Sequence, residues 1–557
     1  MMNRLSPASY GRYLLFIAGM GGLLYGVDVG IVTAALLYLG KTVSLSIAQT
    51  SAIAAAVLAG SMSSLVAGVL ADWIGRKTMM TISGLMFVVS VLVIFGSHNF
   101  GMLFTGRLLQ GASGGFIAVV VPLYLAECLS AKTRGRGSAL FQLFLTIGIA
   151  IAAAVGYYFA NSAEAAIKAA KGNALLILAA ENHAWRGMFL TVVYPGLVFF
   201  VGSFFLSESP RWLFRKGRVQ DALRSLRRSS NEEDAQVQML EMEQTAAAAT
   251  PAAAKAVGSL LQRKYVVPFV LACVILACNQ TTGINSILIY LVIILKQAGL
   301  SAVHATQGDF VVKALNVVMT LIAVGLVDRR GRKFLLVLGT SGVIVALGMA
   351  AVVFHTFETK RADVKQTVTA SMHGNTLDLP VAQLANLRPD ANGAMVLNVL
   401  YDHGSGEKSA TVLSTDDDPA LRISPEAGET GKPLVIKAAS YGPVPSAATG
   451  WTIAGCLALF IAAFAVGPGV VVWLALSELM PTRIRSSGMG IALVINQGVS
   501  TVIAWLFLPV ASNHGYAAMF GFWTLCTVVY FITAVFFLPE TKGKTLEEIE
   551  LGFAKAK

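Results

Sequence analysis

The chain has 557 residues, of which 55% are hydrophobic and 13% are charged, with a mean hydropathy of +0.69. Soluble domains carry about 25% charged residues, so this composition excludes a soluble protein and indicates a polytopic membrane protein. The formal net charge of +12 does not indicate nucleic-acid binding, because Lys and Arg concentrate in short loops at 75–77, 132–136 and 328–333. The positive-inside rule places such loops in the cytoplasm.

Hydropathy predicts twelve membrane spans, because a helix needs about 20 mostly apolar residues to cross a bilayer. An even number of spans puts both termini on one side of the membrane, and the basic loops make that side the cytoplasm. The predicted limits are 13–39, 48–71, 78–96, 100–129, 136–160, 187–206, 264–298, 307–327, 334–356, 449–479, 486–511 and 515–538.

Three polar segments interrupt the spans. Residues 207–262 have mixed charge and helical periodicity, which predicts a cytoplasmic linker of short amphipathic helices. Residues 357–447 follow the ninth span, are acidic and rich in Gly and Pro, and contain alternating apolar runs. They are predicted to form an external insertion, either a small β-rich domain or a flexible loop. A shorter external insertion is predicted at 161–183.

Charged signatures recur in the same order in the two halves of the chain, which indicates an internal repeat. Two parallel six-helix halves that pack around a midplane site and rock against each other have repeats of this kind. The matched signatures are DWIGRK (72–77) and DRRGRK (328–333), Glu127 with Arg134 and Glu478 with Arg485, and Glu208 and Glu540.

These observations predict an all-α membrane protein with twelve transmembrane helices in two pseudo-symmetric six-helix bundles. A cytoplasmic helical linker joins the bundles, and an extracytoplasmic insertion divides the second one. The predicted regions are 1–206 (first bundle), 207–262 (linker), 263–356 (helices 7–9), 357–447 (insertion), 448–538 (helices 10–12) and 539–557 (cytoplasmic tail).

The seventh span contains the run LACNQTTGINSILIY, with Asn279, Gln280, Thr282 and Asn285 inside an apolar segment. Amides in hydrocarbon face a bundle interior or a water-filled cavity. Positions 279, 282 and 286 share one helical face, with 285 beside them. Because that face offers donors and acceptors without charge, it favours a neutral polyhydroxylated ligand. The alternative is that these amides only join helices.

Asp28 is the only acid well inside the first span. A carboxylate at that depth costs about 2.5–3.5 kcal/mol on insertion scales, so it needs a partner. Arg107, at the start of the fourth span, is the predicted partner. Pairing with Arg107 favours the ionised carboxylate, and loss of that partner in another conformation favours uptake of a proton. The alternative is a static ion pair between the first and fourth spans.

With these residues in view, the chain resembles the sugar porter family of the major facilitator superfamily. The resemblance covers nearly all of the chain outside the two external insertions. Its motifs, in order, are GGLLYGVDVG (21–30), DWIGRK (72–77), PLYLAECLSAKTRGR (122–136), SESPRWL (207–213), NQTTGIN (279–285), DRRGRK (328–333), GPGVVVWLALSELMPTRIRSSG (467–488) and LPETKGKTLEEIE (538–550).

The resemblance implies a sugar site formed mainly by the second half, with Trp473 stacking on a sugar ring. Trp473 alternatively fills the space beside a helix break. Asn279 and Gln497 stand where the family usually has a glutamine and an aromatic residue, which enlarges the pocket or makes it more polar. The residues implied to contact substrate are Gln142, Asn279, Gln280, Asn285, Asn316, Trp473, Asn496 and Gln497.

The resemblance also implies a network of cytoplasmic salt bridges that stabilises one conformation of the transporter. The alternative is that these charges only orient the protein in the membrane. The predicted members are Arg76, Glu127, Arg134 and Glu208 in the first half and Arg332, Glu478 and Arg485 in the second.

The sequence therefore predicts a proton-coupled hexose or pentose symporter that works by alternating access. Family symporters resemble the Asp28 and Arg107 pairing, whereas uniporters generally have a neutral residue at this place. The alternatives are an uncoupled sugar or polyol facilitator and a membrane sugar sensor. No nucleophile–base set, phosphate loop or metal-ligand spacing predicts an enzyme, and no cofactor is expected beyond the coupling proton.

The expected partners are a small neutral sugar and the lipid bilayer, with no nucleic acid, and the protein is expected to act as a monomer. We expect an integral plasma membrane protein with both termini in the cytoplasm. The insertion contains no N-x-[ST] acceptor, which favours a bacterial inner membrane.

Overall fold

The computed structural model describes residues 6–129, 131–248, 263–387, 393–415, 419–425, 432–480 and 485–540. Within these ranges it does not describe the side chains of 131–139, 245–248, 264, 324, 327, 328, 473–478 and 485–487.

The first half of the chain folds into eight helices that make six spans. Ser6, Ser46 and Asn99 begin three of them by accepting a backbone N–H of the first turn. The second and sixth spans each divide into two helices. The helices are α1 (Pro7–Thr42), α2 (Ile47–Ser61), α3 (Ser64–Ile74), α4 (Arg76–Phe95), α5 (Phe100–Cys128), α6 (Ala131–Ala169), α7 (Ala174–Thr191) and α8 (Val193–Phe204).

Residues 161–183, which were predicted to form a short external insertion, are almost entirely helical. Residues 161–169 continue α6, and 174–183 already belong to α7. The run AEAAIKAA is made of strong helix formers, so helix propensity extends both spans beyond the apolar segment. Only a short turn at 170–173 separates the helices, with Gly172 at φ +82° and Asn173 as the N-cap of α7.

Three short helices follow the first half. They are α9 (Pro210–Arg215), α10 (Val219–Ser229) and α11 (Glu232–Ala248). Leu213, Leu226 and Met239 form a small apolar core between them. Arg228 of α10 lies over the ring of Tyr10 in α1, 4.5 Å from its centre, so the linker helices pack against the start of the first span.

The second half begins with α12 (Arg263–Thr281), α13 (Ile284–Gln297), α14 (Ala302–Arg330) and α15 (Arg332–Glu358). The seventh span is broken between α12 and α13 at Gly283, whose φ of +81° is left-handed. The ring of Trp523 packs directly against Gly283, in the space that a Cβ would occupy. Only glycine combines this backbone conformation with this approach.

The segment between the ninth and tenth spans is a folded β-domain, which resolves the choice between a domain and a flexible loop. One sheet has the antiparallel order β1-β7-β4-β5 and the other β2-β3-β6. Leu379, Leu397, Ile423 and Ile436 contribute to its apolar core. The elements are β1 (Ala362–Asp363), α16 (Lys365–Ala370), β2 (Met372–His373), β3 (Thr376–Pro380), a 3-10 helix (Val381–Leu387), β4 (Met395–Asp402), β5 (Glu407–Leu413), β6 (Ala420–Ile423) and β7 (Val435–Pro443).

The chain then returns through α17 (Ala447–Val466), α18 (Pro468–Leu479) and α19 (Arg485–Phe536). The last of these contains two spans that meet at Gly515, where φ is +85°. Glu358, at the end of α15, accepts the backbone N–H groups of Tyr516 and Ala517 at 2.8 and 3.2 Å. A carboxylate there satisfies the free N–H groups that begin the twelfth span.

Ten segments of the described chain are long and apolar enough to cross a membrane. One of them, Gly488–Phe536, contains the eleventh and twelfth spans. The remaining span is α14, which is less apolar because it carries Asp309, Lys313 and Asn316. The twelve-helix fold predicted from the sequence is therefore confirmed.

The two halves repeat the same turn between their second and third spans. Gly75 and Gly331 have φ, ψ of 99°, 158° and 91°, 159°, and each precedes an arginine that begins a helix. Glu208 accepts the N–H of Arg76 at 2.9 Å, and Glu540 accepts the N–H of Arg332 at 3.0 Å. The repeat seen in the sequence is thus a repeat of geometry.

The helices define two sides of the membrane. The linker side carries α9 to α11, and the insertion side carries the β-domain. α1 connects them: Tyr10 bonds the Ser207 N–H at 2.6 Å near its start, and just beyond its end Ser44 accepts from Lys408 of β5 at 3.1 Å. The β-domain is attached to the second half of the chain, and the hydrogen bond from Lys408 to Ser44 also connects it to the first half.

We predict that Gly283→Ala destabilises the protein by about 1–3 kcal/mol, because alanine is strained at this φ and its methyl group meets Trp523. Thermal unfolding in detergent, followed by fluorescence, measures the effect. Gly455→Ala in α17 is the control, since nothing lies within 4 Å of the added Cβ. Equal melting temperatures for the two variants would contradict the assignment of Gly283 as a required break.

Candidate functional site

A cavity of about 620 Å³ lies between the two halves of the bundle. Seven of the eight residues predicted to contact substrate line it. Gln142 comes from the first half, and six come from the second: Asn279, Gln280, Asn285, Asn316, Asn496 and Gln497. The side chain of the eighth, Trp473, lies outside the described residues. The fold thus gathers amides from five helices, α6, α12, α13, α14 and α19, around one space.

The amides of the second half hydrogen-bond to one another. Gln280 donates to Asn496 at 3.0 Å, and Asn285 donates to Gln280 at 2.9 Å and to Ser500 at 2.7 Å. These bonds run between α12, α13 and α19, so they fix the orientation of the amide groups across the helix break. Each amide retains further donor and acceptor positions for a ligand.

Gln497 connects the two halves at the cavity. Its Nε2 donates to Ser61 at 2.7 Å, and the Tyr25 hydroxyl lies 3.5 Å away. Both partners also line the cavity and belong to the first half. The Oδ1 of Asn279 is buried and has no hydrogen-bond partner among the described residues. An unpaired buried acceptor is costly, and a ligand hydroxyl is a suitable donor for it.

The rest of the wall is mostly apolar. Phe141, Phe464, Leu288 and Val470 line the cavity together with small residues such as Gly115 and Gly469. An apolar wall with a few converging amides is typical of a pocket for a small neutral ligand. The chemistry of the cavity therefore fits hydroxyl-rich molecules with apolar C–H faces.

Asp28 and Arg107 form the ion pair predicted from the sequence. The Nη1 of Arg107 lies 2.9 Å from Oδ1 of Asp28 and donates to Gln110 at 2.7 Å. Both charged side chains are buried, at 0% and 1% exposure. The second carboxylate oxygen, Oδ2, has no hydrogen-bond partner among the described residues. Asp28 follows Tyr25 and precedes Val29, which both line the cavity.

On the linker side the first half assembles a charged cluster. Arg76 contacts Glu127 at 2.8 Å and Asp72 at 2.7 Å, and Arg215 of α9 contacts Glu127 at 3.1 Å. Ser209 donates to the other oxygen of Glu127 at 2.5 Å. This cluster ties α3, α4, α5 and the linker helices into one body. Asp72 and Arg215 were not among the predicted members.

The described contacts of Glu208 are with backbone N–H groups, and its predicted place in the salt-bridge network remains a prediction, because the side chain of Arg134 lies outside the described residues. The Glu208 carboxylate accepts the backbone N–H groups of Arg76, Lys77 and Ser209 at 2.9, 3.1 and 2.8 Å. The positive end of the α4 dipole favours a carboxylate at this place. Burial raises the pKa of Glu208, and the three backbone hydrogen bonds act against that shift.

The structure describes only part of the rest of the predicted salt-bridge network. The backbone of Arg332 begins α15 and donates to Glu540, as Arg76 does to Glu208. The side chains of Arg134, Glu478 and Arg485 lie outside the described residues. Their place in a gate remains a prediction.

Sequence reasoning missed several polar residues of the cavity. Tyr25, Ser61, Thr146 and Thr320 line it, and Ser500 orients Asn285. Serine and threonine in transmembrane helices commonly bond to their own backbone, so their type alone gives a weak signal. Their spacing is a stronger signal that was not used, because Thr320 lies one turn after Asn316 and Ser500 one turn after Asn496.

Comparison with known proteins places the whole chain in context. The family model described as Sugar (and other) transporter matches residues 14–373 and 434–553, and the gap lies within the β-domain. The glucose transporter GlcP of Staphylococcus epidermidis is 27% identical over 543 residues, which is 97% of this chain and 96% of that protein. The human proton myo-inositol cotransporter is 27% identical over 553 residues, covering 96% and 80%.

The fold is also similar to a solved structure. The inward open conformation of the xylose transporter XylE from E. coli superimposes with a TM-score of 0.67 and 20% identity, covering 96% of this chain and 98% of that one. These relatives are transporters, not enzymes. The chain belongs to the sugar (and other) transporter family, the sugar porters of the major facilitator superfamily.

Proposed function

We propose that this protein is a proton-coupled symporter of a hexose or pentose that works by alternating access. The observation that carries the proposal is the cavity between the halves, where seven uncharged amides converge beside a buried carboxylate. The family membership supports transport of a sugar, while the amide geometry supports a monosaccharide as the ligand. The coupling ion is the proton, and no other cofactor is required.

The sugar is bound mainly by the second half. Gln280, Asn285 and Asn496 form one connected amide group, and Asn316 lines the cavity from a neighbouring helix. Gln142 contributes from the first half. An amide side chain has both a donor and an acceptor, so it can hydrogen-bond to a sugar hydroxyl that either donates or accepts. A cavity of about 620 Å³ leaves room for one monosaccharide together with water.

Asp28 carries the proton. It is held by Arg107 through one oxygen, and its other oxygen has no hydrogen-bond partner in the described part of the chain. A buried carboxylate with one strong partner changes protonation when that partner moves away. Arg107 also bonds Gln110 and lies over the ring of Phe189, so it has other partners to retain when Asp28 becomes neutral.

The uncoupled facilitator of sugars or polyols is the second candidate. It is favoured by the burial of the ion pair, because a buried contact between Asp28 and Arg107 also serves as a static link between α1 and α5. A sugar sensor is the third candidate, with the β-domain or the linker helices as its output. Uptake into vesicles separates these three functions.

The protein spans a membrane, and we propose a bacterial inner membrane with the linker side in the cytoplasm. The basic segments 75–77 and 328–333 support this orientation, because both lie on the linker side. The protein is proposed to act as a monomer, since the cavity is formed within one chain.

We predict that Asp28→Asn abolishes sugar accumulation driven by an inward proton gradient and retains sugar exchange. Asparagine preserves the shape of the side chain and removes the titrating group. Uptake of labelled glucose and xylose into proteoliposomes, with and without an imposed gradient, measures both properties. Equal downhill uptake by wild type and variant under all conditions would make the protein a facilitator, and no uptake of any sugar would favour a sensor.

We predict that Asn285→Ala weakens sugar binding about tenfold, because it removes one ligand contact and releases Gln280 and Ser500. Equilibrium binding of the transported sugar to purified protein measures the affinity. Thr281→Val is the matched control, since the Thr281 hydroxyl bonds the Cys278 carbonyl of its own helix. Unchanged affinity in Asn285→Ala would remove the amide group from the binding site.

A further inference from the structure

A second buried ion pair lies in α14, outside the machinery described above. The Nζ of Lys313 contacts the two carboxylate oxygens of Asp309 at 2.8 and 3.0 Å. The two residues are one helical turn apart, and their exposure is 0% and 1%. Charges inside a membrane bundle are expensive and mark function more often than packing.

Lys313 also reaches the first half of the protein. Its ammonium donates to the hydroxyl of Thr33 in α1 at 2.9 Å and lies 3.4 Å from the Gly30 carbonyl. Thr33 in turn donates to the Leu288 carbonyl of α13 at 2.8 Å. Thr33 therefore joins one helix of the first half to two helices of the second, and it is fully buried.

Thr33, Lys313 and Leu288 lie at one end of the central cavity. Val29 and Asn316 line the cavity, and Thr33 and Lys313 lie one helical turn further along the same helices toward the insertion side. Leu288 lines the cavity itself. Thr33, Lys313 and Leu288 therefore lie at the end of the cavity that faces the β-domain.

The hydrogen bonds named so far between the two halves lie near the centre of the bundle or toward its insertion side. In the described part of the chain they involve Tyr25, Gly30, Thr33, Ser44 and Ser61 of the first half. These residues lie near the middle of their spans or toward the insertion side. The charged cluster of Arg76 and Glu127 makes its described contacts within the first half and the linker helices.

We propose that Thr33, Lys313 and Asp309 form a polar latch that holds the insertion side of the cavity closed, and that opening this side requires Lys313 to leave Thr33. The inference rests on the proposed alternating access. Asp309 is on the same helix as Lys313, so the ammonium keeps its counter-charge when the halves separate. Only the bonds to α1 break, and water replaces them.

The helix break at Gly283 gives the latch a second effect. Thr33 holds the Leu288 carbonyl of α13, and α13 is separated from α12 by the left-handed Gly283. Loss of the Thr33 bond frees α13 to move relative to α12. The latch therefore controls both the distance between the halves and the position of the half-helix that covers the cavity.

The test measures the distance between the halves on the insertion side by double electron–electron resonance. Spin labels are placed at Ser162 of α6 and Gln307 of α14, which are both exposed, in a background without the five native cysteines. We expect Thr33→Val to add a longer-distance population in sugar-free protein and to raise the ratio of open to closed molecules about tenfold, because two buried hydrogen bonds are lost.

Thr33→Ser is the matched control, because it keeps the hydroxyl and is expected to give the wild-type distances. The double variant Lys313→Met with Asp309→Asn removes both charges together and is expected to open the insertion side like Thr33→Val. Identical distance distributions in Thr33→Val, Thr33→Ser and the double variant would overturn the latch. All variants are compared as monodisperse protein.

The distances are measured without sugar, so they do not depend on transport. A shifted distribution together with absent sugar uptake would support the latch and contradict the proposed function. Normal wild-type uptake together with unchanged distances would contradict the latch alone.

Discussion

Every polar group that enters the hydrocarbon layer needs a partner, and this constraint accounts for the arrangement of the whole bundle. Asp28 is enclosed with Arg107, and Lys313 with Asp309 and Thr33. Gln280 of α12 hydrogen-bonds to Asn285 of α13 and to Asn496 of α19 across the helix break. Two of the buried atoms that have no hydrogen-bond partner among the described residues are Oδ1 of Asn279, which lines the central cavity, and Oδ2 of Asp28, which is next to the cavity residue Val29 in the sequence.

The same constraint produces two kinds of polar contact, those within one half of the bundle and those between the two halves. On the linker side, the described contacts of Arg76, Glu127 and Arg215 lie within one half and its linker. At the centre and on the insertion side, Gln497 and Lys313 reach across to the other half through hydrogen bonds between uncharged or singly charged groups, chiefly to the hydroxyls of Ser61 and Thr33. Bonds of that kind exchange readily with water when the halves part. The β-domain adds a further contact across the halves through Lys408 and Ser44.

Sequence alone located the spans, the repeated turn, the amide face and the partner of Asp28, because hydropathy, repeated charges and isolated polar residues in apolar helices are local signals. The sequence did not predict features that depend on a partner far away in the chain, on helix propensity or on a backbone group. The spacing of Asp309 and Lys313 is visible in the sequence, but only the fold brings Thr33 to them. Helix propensity, which hydropathy does not measure, extended α6 and α7 through 161–183. The contacts of Glu208 with backbone N–H groups were not predicted, because no side-chain pattern reveals them.

The most direct test of this account is a structure of the protein determined by cryo-electron microscopy with its transported sugar. The account predicts density for one monosaccharide in the central cavity, hydrogen-bonded to Gln280 and Asn285 of the second half and approached by Gln142 of the first. Sugar density on the β-domain, or a bound sugar that touches none of these amides, would contradict the assignment of the cavity as the transport site.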